Sequence, residues 1–181
     1  MRRCGRSLLV LLLFGGVAAA APRIGDPMPT VQVTDTEGRT RALPFQPTWT
    51  REALVICWED DRSSKIKQPA HAVVGRYSDR VGHPFELVLV ADLERWNFWP
   101  ARGRALESIK KKEAETHSIV WVDLKGALRK AFGLRKAESA FVVVDRDGRI
   151  RYLAQGLLDE AQRRELDAAI ASLGAVPAPG R

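Results

Sequence analysis

Cysteine is almost absent from this chain, and that scarcity limits its chemistry more than any other feature. The 181 residues contain two cysteines, Cys4 and Cys57. Residues 1–21 have the parts of a secretory signal peptide: an arginine-rich start, an uncharged apolar stretch and small residues for cleavage after Ala20 or Ala21. Cleavage would remove Cys4, so we expect an exported domain with one thiol and no internal disulfide.

The apolar stretch of this leader, residues 8–14, is much shorter than the roughly 20 residues that a membrane span needs. We therefore predict a cleaved leader, a periplasmic or secreted protein, and no membrane span after cleavage. Loss of the leader's three arginines lowers the formal net charge from +7 to +4. This mild basicity favours anionic surroundings such as lipid headgroups, and export argues against a nucleic-acid partner.

Histidine is scarce as well. His71, His83 and His117 do not have the spacing of metal ligands, and the sequence points to no metal and no cofactor. Neither an internal repeat nor a linker divides the chain. We expect one domain over residues 22–176 and a flexible tail over residues 177–181.

The chain is organised around a predicted strand–loop–helix unit. Residues 54–58 form a short apolar run typical of a buried strand, and apolar residues recur at helical spacing over residues 64–79. The loop between such a strand and helix usually holds the chemistry of the fold. Here it contains no cysteine and no histidine, so the candidate binding residues are its polar ones: Asp60, Asp61, Arg62, Ser63, Ser64 and Lys65.

Cys57 is the one candidate for a catalytic residue. It lies within the strand run, which favours a buried small hydrophobe over a reactive thiol. Asp60 and Asp61 could form a carboxylate pair, but capping of the following helix is the favoured interpretation. Ser63 or Ser64 could act as a nucleophile only with a base that the sequence does not identify.

The remaining patterns predict an α/β fold. In chain order they give a hairpin (residues 30–34 and 40–45), three strands (85–91, 118–123 and 140–144), two helices (101–116 and 126–132), a return strand at 150–154 and a last helix from Asp159. Alternating strands and helices imply a largely parallel sheet with helices on both faces, closed by an antiparallel hairpin. We expect the strand at residues 30–34 to lie at an edge, and Asp159 and Gln162 to cap the last helix.

Trp96, Phe98 and Trp99 cluster in the segment that ends at Pro100. Such a cluster could be a partner-binding patch. A loop whose rings close over the core is the favoured interpretation.

Three segments resemble the thioredoxin-like fold in its exported redoxin form. They are the entry phrase Ile24-Gly-Asp-Pro-Met-Pro29, the strand-to-helix unit at residues 54–67, and the late hairpin Phe141-Val-Val-Val-Asp-Arg-Asp-Gly-Arg-Ile150. Asp123-x-x-Gly126, Ser139-Ala140, the late hairpin and the closing helix are also similar to the periplasmic YtfJ-type family, as is Ser64-Lys65-Ile66-Lys67 after the central strand. The resemblance implies a central mixed sheet with an N-terminal β-hairpin and helices on both faces.

The chain departs from active redoxins at the residues that do the chemistry. Thioredoxin-type enzymes use a thiolate at the helix N-terminus and a second cysteine three residues later, and peroxiredoxin-type enzymes use one cysteine in the same first turn. Both positions are lost in residues 60–65, and Ser139 stands near the place of the family's cis-proline.

The leading hypothesis is therefore a non-catalytic binding or accessory protein of the cell envelope with an unknown protein or small-molecule partner. One alternative is a divergent thiol–disulfide oxidoreductase or peroxiredoxin-like antioxidant protein that uses Cys57. Another is an envelope-surface protein that meets anionic lipid or polymer.

Overall fold

The computed structural model describes residues 20–44, 53–60, 85–116 and 119–174. These residues form one seven-stranded sheet in the order β2-β1-β5-β4-β3-β6-β7. The strands are β1 (Val31–Thr34), β2 (Thr40–Leu43), β3 (Ala53–Asp60), β4 (Phe85–Asp92), β5 (Val120–Asp123), β6 (Ala140–Asp145) and β7 (Ile150–Gln155). The helices are α1 (Ala101–Thr116), α2 (Ala127–Phe132) and α3 (Glu160–Gly174), with a 3₁₀ turn at Glu94–Trp96.

The sheet is mixed. β3, β4 and β5 run parallel, whereas β6 pairs with β3, β7 with β6, β1 with β5 and β2 with β1 in antiparallel fashion. The parallel part is thus narrower than the sequence predicted. The predicted edge position of β1 is wrong, because β1 also pairs with β5 through Thr34 and Val122, and β2 takes the edge instead.

Side-chain alternation along β3 divides the core between the two faces of the sheet. Ile56 and Trp58 pack in one cluster with Leu128 and Phe132 of α2. Cys57 packs in the other cluster, with Leu166 and Ile170 of α3 among its members. A strand covered on both faces has no polar side to present, which explains the unbroken apolar run at residues 54–58.

The predicted ends of two helices are confirmed. At the start of α3 the Asp159 carboxylate accepts the Gln162 N–H at 2.8 Å, and the Gln162 side chain accepts the Asp159 N–H at 3.0 Å. α2 ends at Gly133, whose φ of 64° is the left-handed conformation that favours glycine.

The predicted signal peptide, the helix at residues 64–79 and the C-terminal tail lie almost wholly outside the described residues. Among the residues that the structure describes, no helix is both long and apolar enough to cross a membrane.

Candidate functional site

Cys57 lies in the core, as the sequence predicted. Its side chain is 1% exposed, and it packs with Val55, Phe141 and Val143 on the face of the sheet that α3 covers. Burial raises the pKa of the Cys57 thiol well above its usual range, and the nearby charge of Glu59 raises it further. A buried thiol that stays protonated is a poor nucleophile, so Cys57 has the surroundings of a packing residue.

Asp60 ends β3 and is the one predicted binding residue that the structure describes. Its carboxylate accepts a hydrogen bond from the backbone N–H of Ala137, in the loop before β6. Ala137 has a φ of 65°, a left-handed conformation that is costly for a residue with a Cβ. The bond therefore ties the C-terminal end of β3 to a strained point of the loop that precedes β6.

The other five predicted site residues, Asp61, Arg62, Ser63, Ser64 and Lys65, lie outside the described residues. The helix-capping role predicted for Asp60 and Asp61 therefore stays a prediction.

The loop beside Asp60 is held by one internal ion pair and by two hydrogen bonds from residues at the end of β7. The Arg135 guanidinium lies 2.8 Å from the Glu138 carboxylate, and the Arg135 carbonyl accepts a hydrogen bond from the Gln155 side chain at 2.9 Å. Ser139 is 4% exposed, and its carbonyl accepts the Gly156 N–H at 2.8 Å. This loop and the end of β3 form the described part of the candidate site.

Sequence reasoning missed a row of carboxylates along the same edge of the sheet. The strand register pairs Asp60 with Asp92 and Asp92 with Asp123, so three adjacent parallel strands end in aspartate side by side. Each of these strands ends in Asp in the sequence, after an apolar run. That shared ending is the signal that could have found the row, because the carboxyl ends of parallel strands meet at one edge.

The two buried aspartates of this row, Asp92 and Asp123, accept hydrogen bonds from backbone N–H groups. Asp123 is 1% exposed and accepts the N–H groups of Lys125 at 3.1 Å and Leu128 at 2.8 Å, which caps α2. Asp92 accepts the Glu94 N–H at 2.9 Å and the Arg129 Nε at 3.2 Å. Burial raises the pKa of Asp92, and the charge of Asp123 adds to this effect, against the opposing hydrogen bonds from Glu94 and Arg129.

An ionic network links this edge to α2. Arg129 also contacts the Glu94 carboxylate, and the Lys130 ammonium lies 2.5 Å from the same carboxylate and 2.6 Å from the Lys125 carbonyl. The hydrogen bond from Lys130 is the main cause that lowers the pKa of Glu94. Within the described ranges, no group of three or more histidine, cysteine, aspartate or glutamate side chains is arranged to hold a metal ion. The carboxylates of the described edge thus position loops.

The expected packing of the aromatic loop over the core is wrong for two of its three rings. Phe98 is 58% exposed and Trp99 is 91% exposed, whereas Trp96 is half-buried. Backbone bonds from Trp96 N–H to Leu93 O and from Phe98 N–H to Trp96 O hold the segment in tight turns. The Asn97 amide also bonds to the Leu124 carbonyl at 2.9 Å, which fixes the loop beside β5 with the last two rings outward.

Comparisons with known proteins agree with this architecture. Residues 103–173 match the family model described as "Bacterial protein of unknown function (YtfJ_HI0045)". An uncharacterized protein of Haemophilus influenzae is 35% identical over 52 residues, which cover 29% of this chain. That alignment spans 28% of the length of this curated relative.

Two solved structures show the same fold. A putative thiol:disulfide interchange protein DsbE from Chlorobium tepidum has a TM-score of 0.58 at 16% identity, covering 83% of this chain and 97% of that chain. The thiol peroxidase from Chromobacterium violaceum has a TM-score of 0.55 at 12% identity, covering 84% of this chain and 88% of that chain. The chain therefore has a thioredoxin-like fold, and its residues 103–173 match the YtfJ-type family.

Proposed function

We propose that this chain is an exported, non-catalytic protein of the cell envelope that binds a partner at the C-terminal end of β3. The observation that carries the proposal is the burial of Cys57, which is 1% exposed. It is the only cysteine outside the predicted signal peptide, and a thioredoxin-type reaction needs a thiolate that can reach its substrate. The partner is a protein or small molecule of the envelope.

The binding site in this proposal is the loop at residues 60–65 together with the segment before β6. The bond from Ala137 N–H to Asp60 supports it, because it fixes the end of β3 against the segment before β6. A fixed end of a strand beside a loop is a surface that can recognise a ligand without forming a covalent bond to it.

The test is thiol labelling of the native protein with a maleimide, run with and without urea. We expect the native Cys57 to label about 10³-fold or more slowly than the unfolded chain, because a core thiol becomes accessible only by opening. A Cys57→Ser variant is the matched control, because any label that it retains reports Cys4 of an uncleaved leader. Cys4→Ser isolates Cys57 in the same way.

Turnover is measured on the same samples with a peroxide and with a disulfide substrate, in the presence of a dithiol reductant. We expect wild type and Cys57→Ser to match the background rate. Fast native labelling of Cys57 together with turnover that Cys57→Ser abolishes would overturn the proposal in favour of the divergent oxidoreductase.

Export is tested by expressing the full chain in a bacterium and measuring the mass of the protein in each compartment. We expect a periplasmic product that begins at Ala21 or Pro22. A full-length product confined to the cytoplasm would refute the localisation and leave the thiol result unaffected.

A further inference from the structure

The aromatic loop and the start of α1 form an exposed surface that the proposed binding site does not include. We define this aromatic–basic surface as Arg95, Trp96, Phe98, Trp99, Arg104 and Lys111. Trp99 is its most prominent member, with 91% of the side chain exposed, and Phe98 beside it is 58% exposed. Two adjacent aromatic side chains exposed to solvent are typical of an interaction site.

A shallow groove of about 430 Å³ lies beside Phe98. Its lining is almost wholly apolar and is formed by Trp96, Phe98, Pro100, Ala101, Arg104 and Ala105. The Arg104 side chain contributes to the wall while its residue remains exposed, so a cation stands at the rim of an apolar groove. An occupant that suits this groove is apolar in part and carries negative charge close by.

Charge is concentrated around this groove. Residues 95–116, which contain the aromatic loop and all of α1, have six cations and three acids, a net charge of +3. The chain after the predicted leader carries +4, so everything else in it sums to +1. Most of the net positive charge of this protein thus lies on the aromatic–basic surface and its helix, where it complements an anionic partner.

Two features place the cations near the rings. The Arg95 guanidinium lies 5.4 Å from the centroid of the Trp96 ring. Arg104 and Lys111 are seven residues apart on α1, which puts both on the helix face that lines the groove, and both are exposed. Lys110, by contrast, lies 3.8 Å from Glu107 on another face of the helix.

From this combination we propose that the aromatic–basic surface docks onto an anionic phospholipid bilayer. Tryptophan rings favour the interface between headgroups and acyl chains, and arginine and lysine are attracted to anionic headgroups. The surface offers both within one loop and the first three turns of α1, beside an apolar groove. Docking is peripheral, and it does not depend on Cys57 or on the loop at residues 60–65.

The experiment is co-sedimentation of the purified full chain with vesicles of phosphatidylcholine mixed with phosphatidylglycerol, against vesicles of phosphatidylcholine alone. We expect binding to the mixed vesicles, weakening as salt is added, and little binding to the neutral ones. All variants keep the same N-terminus, so a retained leader contributes equally to each of them.

The variants separate the two parts of the surface. Arg104→Glu with Lys111→Glu should weaken binding by at least about 25-fold, because each cation removed near an anionic membrane is worth about fivefold. Phe98→Ser with Trp99→Ser should weaken it by about tenfold or more. The matched control is Arg146→Glu with Arg164→Glu, which makes the same change in net charge at exposed positions elsewhere and should leave binding within about twofold of wild type.

A spectroscopic measurement identifies the inserted ring. Brominated lipids in the mixed vesicles should quench the tryptophan fluorescence of the wild type, and much less that of Trp99→Phe, which keeps an aromatic ring and its binding. Three results would overturn the proposal: no vesicle binding, binding that the control reversal weakens as much as the Arg104 and Lys111 reversal, or equal binding to neutral vesicles. If no vesicle binding is seen, an acidic protein becomes the candidate partner of this surface instead.

Discussion

Replacing Asp123 by alanine tests the claim that the carboxylates of this edge are structural. The Asp123 carboxylate accepts two backbone N–H groups, from Lys125 at 3.1 Å and from Leu128 at 2.8 Å. Hydrogen bonds to a charged acceptor contribute about 1.5–3 kcal/mol each. Leu128 is fully buried and its N–H would lose its acceptor, whereas Lys125 is exposed and its N–H can bind water instead.

We therefore expect Asp123→Ala to lower the free energy of unfolding by about 2–4 kcal/mol, a large share of the roughly 5–15 kcal/mol that holds a domain folded. Asp123→Asn keeps one oxygen acceptor, so it should lower the free energy of unfolding by only about 1–2 kcal/mol. The assay is urea unfolding followed by tryptophan fluorescence, with an unchanged slope against urea concentration as the check on two-state behaviour.

The matched control is Asp147→Ala, an aspartate with an exposed side chain in the turn between β6 and β7. A surface substitution of this kind changes the free energy of unfolding by about 0.5 kcal/mol or less. If Asp123→Ala were no more destabilising than Asp147→Ala, the capping argument would be refuted and a functional reason for a buried carboxylate would have to be sought.

Three further predictions follow from single residues. The indole N–H of Trp58 is buried with no hydrogen-bond acceptor among the described residues, so Trp58→Phe should change the free energy of unfolding by about 1 kcal/mol or less, against about 3–5 kcal/mol for Trp58→Ala in the same urea assay. The pKa of Asp92 is raised in the folded state, so protonation favours folding: the stability of wild type relative to Asp92→Asn should increase as pH falls through that raised pKa, and level off below the ordinary value near 3.8. Gly133→Ala should lower the free energy of unfolding by about 1 kcal/mol, because the φ of Gly133 is 64°. Gly103→Ala within α1 should raise it by about 0.5–1 kcal/mol, because the added Cβ meets nothing within 4 Å. Thermal unfolding of the two variants measures both changes.

The element order could be predicted because it depends on local patterns. Apolar runs located β3, β4 and β6, helical spacing located α1 and α3, and the pair Asp159 and Gln162 marked the start of α3 within one residue. The order of strands in the sheet depends instead on long-range pairing. The alternation in β1 is the same whether one or both of its edges are bonded, so it could not show that β5 pairs with β1.

The candidate site was only partly predictable for the same reason. The burial of Cys57 followed from the apolar run around it, which is local. The contact between Asp60 and Ala137 joins residues 77 positions apart, and the register of Asp92 with Asp123 joins two separate strands. The outward rings of Phe98 and Trp99 were missed because hydrophobicity alone favours burial, and backbone turns of the loop decide their direction.

One device explains the buried carboxylates of the described residues. Asp35, Asp92, Asp123 and Asp145 each stand at or directly after the end of a strand, and each accepts the N–H of the residue two positions on, at 2.9–3.1 Å. In two of them, Asp35 and Asp145, the same oxygen also accepts the N–H four positions on, which closes a hairpin turn.

The carboxylate oxygens of these residues already accept backbone N–H groups, which leaves fewer lone pairs with which a general base could take a proton from a substrate. At the edge where β4 and β5 end, the two buried aspartates Asp92 and Asp123 thus hold loops in place. Asp60 ends β3 in the same row and accepts the N–H of Ala137, which lies 77 positions along the chain. A partner that binds at Asp60, as we propose, would therefore compete with the loop before β6 for this carboxylate.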